Sequence, residues 1–206
     1  MESVISTAIP AFGHLLLITN GAYGDRIGQM TEVYGIKTTT LKYKENIVPP
    51  VEDAEEILLD DESITHMAIV HCETTTGIFN DIKRIGQLAH KFSKVFIVDA
   101  MSSFGAVPID MKELDIDFLV SSSNKCIEGV PGFSFVIAKT QTLESCIGQA
   151  RTVSLDLYSQ WIGMKNENQF RFTPPIQSIL AFRKAIDELK AEGGIEIRAD
   201  RDRNNY

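Results

Sequence analysis

The feature that most constrains the fold is a series of short apolar runs that lack the alternation of a half-exposed strand. Residues 67–70 and 95–98 are apolar at every position, which is typical of strands covered on both faces. Such runs alternate with amphipathic stretches, and this order predicts an α/β fold with a mainly parallel sheet flanked by helices. The predicted strands are residues 14–19, 38–43, 66–71, 95–98, 118–121 and 133–138.

The amphipathic stretches predict the helices and some of their ends. Asn80 precedes one of these stretches and is a good N-cap residue type, so we expect it to cap that helix. Pro174 and Pro175 precede the longest stretch, and Gly193 and Gly194 are expected to end it. The predicted helices are residues 2–8, 25–34, 51–59, 81–92, 155–165 and 176–191.

The composition excludes several classes of protein. The chain has 206 residues, of which 44% are hydrophobic and 23% charged, as in an ordinary globular protein that can bury a core. Its net charge of −8 lacks the basic footprint of a nucleic-acid binder. No apolar run approaches the length of a membrane span. We therefore expect neither nucleic acid nor a membrane as a partner.

The three cysteines show no CxxC pair, and so sparse a set favours the reducing cytoplasm over secretion. A zinc site that includes His71 and Cys72 is an alternative use of these residues. It is disfavoured because adjacent residues of an extended chain point to opposite faces. We expect a cytoplasmic protein without a metal site.

Polar segments follow four of the predicted strands at their carboxyl ends. They are residues 20–26, 71–77, 99–103 and 121–125. Ligands of parallel α/β sheets bind outside the carboxyl ends of the strands. These segments therefore predict a site that collects an aromatic ring, several hydroxyls, a carboxylate and a lysine.

Asp99 and Lys125 are the two residues of these segments with the most specific chemistry. Asp99 emerges from a buried strand, where a carboxylate is costly unless it meets a cation; an N-cap or a salt bridge would also explain it. Lys125 could be a solvated surface lysine. A partly desolvated lysine can instead attack a carbonyl carbon, and a nearby aspartate can keep the pyridine nitrogen of pyridoxal phosphate protonated.

In combination, these segments resemble the class-V aminotransferases, a small-aminotransferase group of fold-type I enzymes that use pyridoxal 5'-phosphate. The resemblance rests on NGAYGDR at 20–26, HCETTTG at 71–77, VDAMSS at 98–103 and SSSNKC at 121–126. Two further stretches resemble members that act on 2-aminoethylphosphonate and pyruvate: KCIEGVPGF at 125–133, and LDLY at 155–158 leading to RFTPP at 171–175. The resemblance implies the large domain of such an enzyme and a transamination that yields phosphonoacetaldehyde and L-alanine.

The resemblance also implies roles for individual residues. Lys125 would hold the cofactor covalently and move a proton between the substrate and the cofactor, which makes it the catalytic residue. Asp99 would pair with the pyridine nitrogen. Tyr23 would stack on the ring, with simple packing as the alternative. Thr74 would bond the side of the ring that carries the hydroxyl, with a turn hydroxyl as the alternative.

Three further cofactor contacts follow from the same resemblance. Met101 would line the other face of the ring, and Asn124 would lie near the phosphate. Thr173 would reach the phosphate of the neighbouring subunit, which implies a homodimer.

The resemblance leads us to expect a chain truncated at both ends. In the family, a glycine-rich phosphate-binding turn precedes the helix that begins here near Glu2, and a C-terminal domain supplies an arginine for the acid group of the substrate. We expect residues 1–194 to be part of the large domain and 195–206 to begin the connection to a small domain. Three hypotheses remain open: transamination of 2-aminoethylphosphonate, an inactive fragment, and an alanine–glyoxylate or serine–pyruvate aminotransferase.

Overall fold

Six strands within residues 1–205, the part of the chain described by the computed structural model, form one sheet. They are β1 (His14–Thr19), β2 (Lys37–Lys42), β3 (His66–Val70), β4 (Val95–Asp99), β5 (Phe118–Ser122) and β6 (Ser134–Ala138). Their order across the sheet is β2-β1-β3-β4-β5-β6. The first five strands pair in parallel, and β6 pairs antiparallel with β5. The predicted α/β fold with a mainly parallel sheet is confirmed.

The helices lie close to the predicted bounds. They are α1 (Glu2–Ala8), α2 (Ala22–Val33), α3 (Val51–Asp60), α4 (Ile82–Lys91), α5 (Thr140–Glu144), α6 (Leu157–Ile162), α7 (Ile176–Glu192) and α8 (Ile195–Asn204). A π-helical turn, Gly163–Glu167, continues α6. Helices α5 and α8 were not predicted, because α5 is little more than one turn long and α8 is too highly charged to show an apolar periodicity. Within residues 1–205, no helix combines the length and apolar character that crossing a bilayer would require.

An apolar cluster lies on each face of the sheet. Leu16 and Phe96 pack on one face with α3 and α4, whereas Leu15 and Ile97 pack on the other with α1 and α2. Successive residues of a strand point to opposite faces, so strands covered on both sides are apolar at every position. Each fully buried side chain of this size contributes roughly 1.5–3 kcal/mol of hydrophobic stabilisation.

The N-cap of α4 is Asp81, so the prediction of Asn80 is wrong. An Asp81 side-chain oxygen accepts a hydrogen bond from the backbone N–H of Arg84 at 3.0 Å. The Asn80 side chain is engaged elsewhere, because it exchanges hydrogen bonds with Asn20 and donates to the Val70 carbonyl at 2.8 Å. Both residue types cap helices well, and a contact between two loops distant in sequence decides which one does.

The end of α7 agrees with the prediction. Gly193 has a φ of 114° and Gly194 a φ of 89°, a left-handed backbone that glycine adopts without a side-chain penalty. The Gly193 N–H donates to the Lys190 carbonyl at 3.2 Å. Helix α8 begins directly after this corner and turns back towards the sheet, where its Arg198 contacts residue Cys126.

Candidate active site

Three of the polar segments meet at Ser102, which lies in the loop after β4. Its hydroxyl is 2.6 Å from the Thr74 hydroxyl, in the loop after β3. Its carbonyl accepts a hydrogen bond from the Cys126 thiol at 3.3 Å, in the turn after β5. Because β3, β4 and β5 are neighbours in the sheet, the segments that follow them lie side by side. The structure therefore brings together Thr74, Ser102 and Cys126. Ser102 follows Met101 in the sequence, and Cys126 follows Lys125.

Asp99 is the last residue of β4 and is only 5% exposed. One carboxylate oxygen accepts a hydrogen bond from the Met101 N–H at 2.9 Å. Burial raises the pKa of this carboxyl group, against the smaller opposing effects of the Met101 N–H and the Met1 amino group. No lysine or arginine side chain within residues 1–205 lowers the pKa of Asp99. A positively charged ring nitrogen would stabilise this carboxylate, so the site fits the cationic group of pyridoxal phosphate.

Ser122 offers a second unsatisfied group on the same side of the sheet. Asp99 pairs with Val120 across the β4–β5 ladder, and alternation along the strand puts Ser122 on the same face as Val120. The Ser122 hydroxyl is buried and has no hydrogen-bond partner among the described residues. A buried hydroxyl left unpaired costs about 1–3 kcal/mol. A polar ligand at this edge of the sheet could satisfy it.

Lys125 lies in a tight turn that directly follows β5. The Glu128 N–H donates to the Lys125 carbonyl at 2.7 Å, and the Gly129 N–H donates to the Ser123 carbonyl at 2.9 Å. A Cβ at position 129 would lie 2.6 Å from that carbonyl oxygen, so the turn requires glycine there. The side chains of Asn124 and Lys125 are exposed at the edge of the sheet, where a ligand can reach them.

Glu73 fixes the first turn of α2, a role that was not predicted. Its side chain is completely buried and accepts hydrogen bonds from the N–H groups of Gly24 at 2.9 Å and Tyr23 at 3.3 Å. A carboxylate at a helix N-terminus satisfies free N–H groups and complements the helix dipole. A Cβ at Gly21 would lie 2.6 Å from the Glu73 carboxyl carbon. The sequence signal for this capping role was an acidic residue directly after a buried strand, together with a glycine-containing turn that begins a helix.

The sequence model of the family described as Aminotransferase class-V matches residues 23–205. The chain belongs to the class-V aminotransferase family. Two curated relatives named 2-aminoethylphosphonate–pyruvate transaminase, from Lysinibacillus sphaericus and Bacillus cereus, are each 53% identical to it. Each alignment covers 100% of this chain and 56% of the relative. This class-V aminotransferase chain thus spans about half the length of the curated relatives it matches.

Solved structures agree with the family assignment. The fold of this class-V aminotransferase chain resembles an alanine–glyoxylate aminotransferase from Nostoc, with a TM-score of 0.89, 26% identity, and coverage of 98% of this chain and 54% of that one. A pyridoxamine–pyruvate aminotransferase from Mesorhizobium loti gives a TM-score of 0.87 at 23% identity, over 96% of this chain and 51% of that one. At that identity the likeness concerns the fold alone.

The other predicted site residues of this class-V aminotransferase chain lie in two places. Tyr23 and Met101 are half-buried and pack against the apolar cluster on the α1 side of the sheet, and the Arg26 guanidinium lies 5.1 Å from the centre of the Tyr23 ring. Thr173 is exposed in the loop before α7. Its neighbour Arg171 donates to the Val153 carbonyl at 2.9 Å. No hydrogen bond of the described residues joins Thr173 to the other predicted site residues.

His71 holds two loops of the site together. Its Nδ1 is 2.9 Å from the Ser103 hydroxyl, and its ring meets the edge of the Phe79 ring. Burial lowers the pKa of His71 to about 4, so the imidazole is neutral near pH 7. In the described part of the chain, His71 and Cys72 belong to no cluster of three or more metal-ligating side chains.

Proposed function

We propose that this chain forms the cofactor-binding part of an aminotransferase that uses pyridoxal 5'-phosphate. The reaction transfers the amino group of 2-aminoethylphosphonate to pyruvate and produces phosphonoacetaldehyde and L-alanine. The observation that carries the proposal is the meeting of Thr74, Ser102 and the Lys125 turn beside the buried Asp99. The two relatives that are 53% identical over the whole chain support the substrate pair.

The proposed chemistry divides between the cofactor and two residues. When bound, pyridoxal phosphate supplies an electron-withdrawing ring that stabilises the charge left when a proton leaves the carbon next to the amine. Asp99, whose negative charge meets no side-chain cation, keeps the ring nitrogen protonated. Lys125 holds the cofactor at its amine and, when that amine is free, takes a proton from the substrate carbon and returns it to the cofactor.

The remaining residues bind and orient the cofactor in this proposal. Tyr23 and Met101 cover the two faces of the ring, where aromatic and apolar side chains suit a flat heterocycle. Thr74 is held by its hydrogen bond to Ser102. It makes a hydrogen bond on the side of the cofactor ring that carries the hydroxyl. Asn124 lies near the phosphate.

We propose a homodimer in which Thr173 contacts the phosphate bound to the other subunit. The segment around Thr173 carries apolar side chains that are at least half exposed: Phe170, Phe172, Ile176 and Leu180. Exposed apolar groups of this kind favour coverage by another chain. Light scattering on the purified chain tests the assembly, and Leu180→Ser should shift the mass towards that of one chain. A parent protein that is monomeric at high concentration would contradict the dimer.

Titration with pyridoxal phosphate tests the cofactor and the lysine together. The visible absorbance of attached cofactor is followed, and borohydride reduction with peptide mass mapping then locates the modified lysine. We expect modification at Lys125, its loss in Lys125→Arg, and no change in the exposed control Lys112→Arg. A folded parent chain that gives no band and no modified Lys125 would refute cofactor binding and support the inactive-fragment hypothesis.

The amino donor is tested separately, because the structural likeness to an alanine–glyoxylate aminotransferase favours a second candidate. Chain that carries the cofactor is given 2-aminoethylphosphonate or L-serine with pyruvate or glyoxylate, and L-alanine with glyoxylate, since alanine with pyruvate gives no net reaction. We expect turnover with 2-aminoethylphosphonate and pyruvate. Turnover confined to alanine or serine as the donor would overturn the phosphonate assignment and keep the transaminase chemistry.

A further inference from the structure

Helix α8 reaches the turn that carries Lys125. Its residue Arg198 is only 3% exposed, and its guanidinium donates a hydrogen bond to the Cys126 carbonyl at 3.1 Å. Two further N–H groups of Arg198 donate to one oxygen of Glu192 at 2.6 and 2.9 Å. Because a buried guanidinium is costly without partners, these contacts fix Arg198, and Arg198 in turn holds the peptide group that follows Cys126.

Arg201 and Glu128 extend this contact into a network of two arginines and two glutamates. Arg201 lies 2.6 Å from one Glu128 oxygen and 3.0 Å from a Glu192 oxygen, and the second Glu128 oxygen is 3.4 Å from Arg198. Glu128 has a φ of 63°, a left-handed backbone that a glutamate adopts only where its surroundings enforce it. In this conformation the Glu128 carboxylate contacts both arginines of α8.

Ile127 anchors the same turn through apolar contacts. Its side chain is buried in a small cluster with Ala185 and Leu189 of α7, and Ile195 of α8 packs against this cluster. Three consecutive residues after Lys125 are therefore bound to the α7–α8 corner, through the carbonyl of 126, the side chain of 127 and the carboxylate of 128. The backbone of this turn sets the direction in which the Cα–Cβ bond of Lys125 leaves the chain.

We propose that Arg198 is a positioning residue for Lys125. It holds the peptide after Cys126 and, through Glu192, ties the lysine turn to the corner between α7 and α8. The inference rests on the proposed function of Lys125 as the residue that holds the cofactor. A purely structural arginine would stabilise the fold as a whole, whereas a positioning residue orders the lysine turn in particular.

Hydrogen exchange on the purified chain tests the order of the turn without any cofactor. The reporters are the N–H groups of Glu128 and Gly129, which donate within the turn. Arg198→Lys keeps the charge but loses the planar guanidinium, whose three nitrogens donate to Cys126 and Glu192 in a fixed geometry. Arg198→Met removes the charge with little change in the length of the stem. In both variants we expect exchange of these two amides to be about tenfold faster or more, as for the loss of a hydrogen bond to a charged group.

Arg203→Met is the matched control for this measurement. Arg203 lies on the same helix, its side chain is 75% exposed, and it pairs with Asp200 within α8. We expect its exchange pattern to equal that of the parent chain. If Arg198→Met does not fold, Arg198→Lys decides. Unchanged exchange at Glu128 and Gly129 in Arg198→Lys, or faster exchange spread equally over β1 and β3, refutes the proposal.

Trapping of pyridoxal phosphate gives a second readout that a general loss of stability would not move. After borohydride reduction, the share of label on Lys125 relative to the other lysines is measured by mass. We expect this share to fall several-fold in Arg198→Lys and to be unchanged in Arg203→Met; an unchanged share in Arg198→Lys counts against positioning. If the parent chain takes no label at Lys125, the proposed function fails, and hydrogen exchange alone decides whether Arg198 orders the turn.

Discussion

Acid should destabilise this fold through its buried histidines, and His66 and His71 are the two with the largest pKa shifts. Burial lowers the pKa of each to about 4, against a contrary effect of the Ala8 carbonyl on His66. In the unfolded chain both return to a pKa near 6.5. Between these pH values the unfolded chain binds more protons, so the free energy of unfolding decreases as the pH falls from 6.5 towards 4. Above about pH 7.5 both histidines are almost entirely neutral in either state, and the penalty is absent.

The magnitude follows from the two pKa values. With pKa values of 6.5 unfolded and about 4 folded, lowering the pH from about 7.5 to about 5 costs about 2 kcal/mol for each histidine. The two act separately, because His66 begins β3 and His71 follows its end. Their joint cost of about 4 kcal/mol is a large share of the 5–15 kcal/mol that stabilises a typical domain.

Urea unfolding at the two pH values, followed by circular dichroism, measures this loss in the parent and in three variants. His66→Gln and His71→Asn retain an amide where Nε2 of His66 meets the Ala8 carbonyl and Nδ1 of His71 meets Ser103. Each should reduce the acid-dependent loss by about 2 kcal/mol. His90→Gln, at an exposed histidine, is the control and should behave as the parent. Equal losses in the parent, His66→Gln and His71→Asn would refute the reasoning.

Four further substitutions test the site and helix α2, which borders it. Glu73→Gln should lower the free energy of unfolding by about 1–3 kcal/mol in urea melts, because it removes the charge that caps α2; a change below about 0.5 kcal/mol would contradict this role. Gly24→Ala should cost about 1–3 kcal/mol, since its Cβ would lie 2.2 Å from the hydroxyl of the threonine that ends β1. Gly28→Ala, one turn later, meets nothing closer than 3.5 Å and should stabilise the helix by about 0.5–1 kcal/mol. Asp99→Asn should raise the stability of the cofactor-free chain near pH 7, because burial disfavours the charged carboxylate, and should weaken cofactor retention at Lys125; a variant that is less stable and binds normally would contradict both expectations.

The elements of the fold were predictable because their signals are local. Residues 67–70 and 95–98 are apolar at every position, and both lie in strands covered on two faces. Gly193 ends α7 as predicted, since its left-handed backbone is a property of the residue type. The carboxyl edge of the sheet follows from the same pattern, because the residues after neighbouring parallel strands must lie side by side. Thr74, Ser102 and Cys126 meet for this reason.

The sequence by itself therefore determined the strands, the helices other than α5 and α8, and which polar residues follow the strands. Only the tertiary structure decided which of those residues meet: Asp81 caps α4 because Asn80 bonds Asn20, and Glu73 caps α2 from another loop. It also decided that Arg198 holds the turn of Lys125, although residues 198–206 show only charge in the sequence. Secondary structure depends on neighbours along the chain, whereas a buried charge is retained wherever packing brings it a partner.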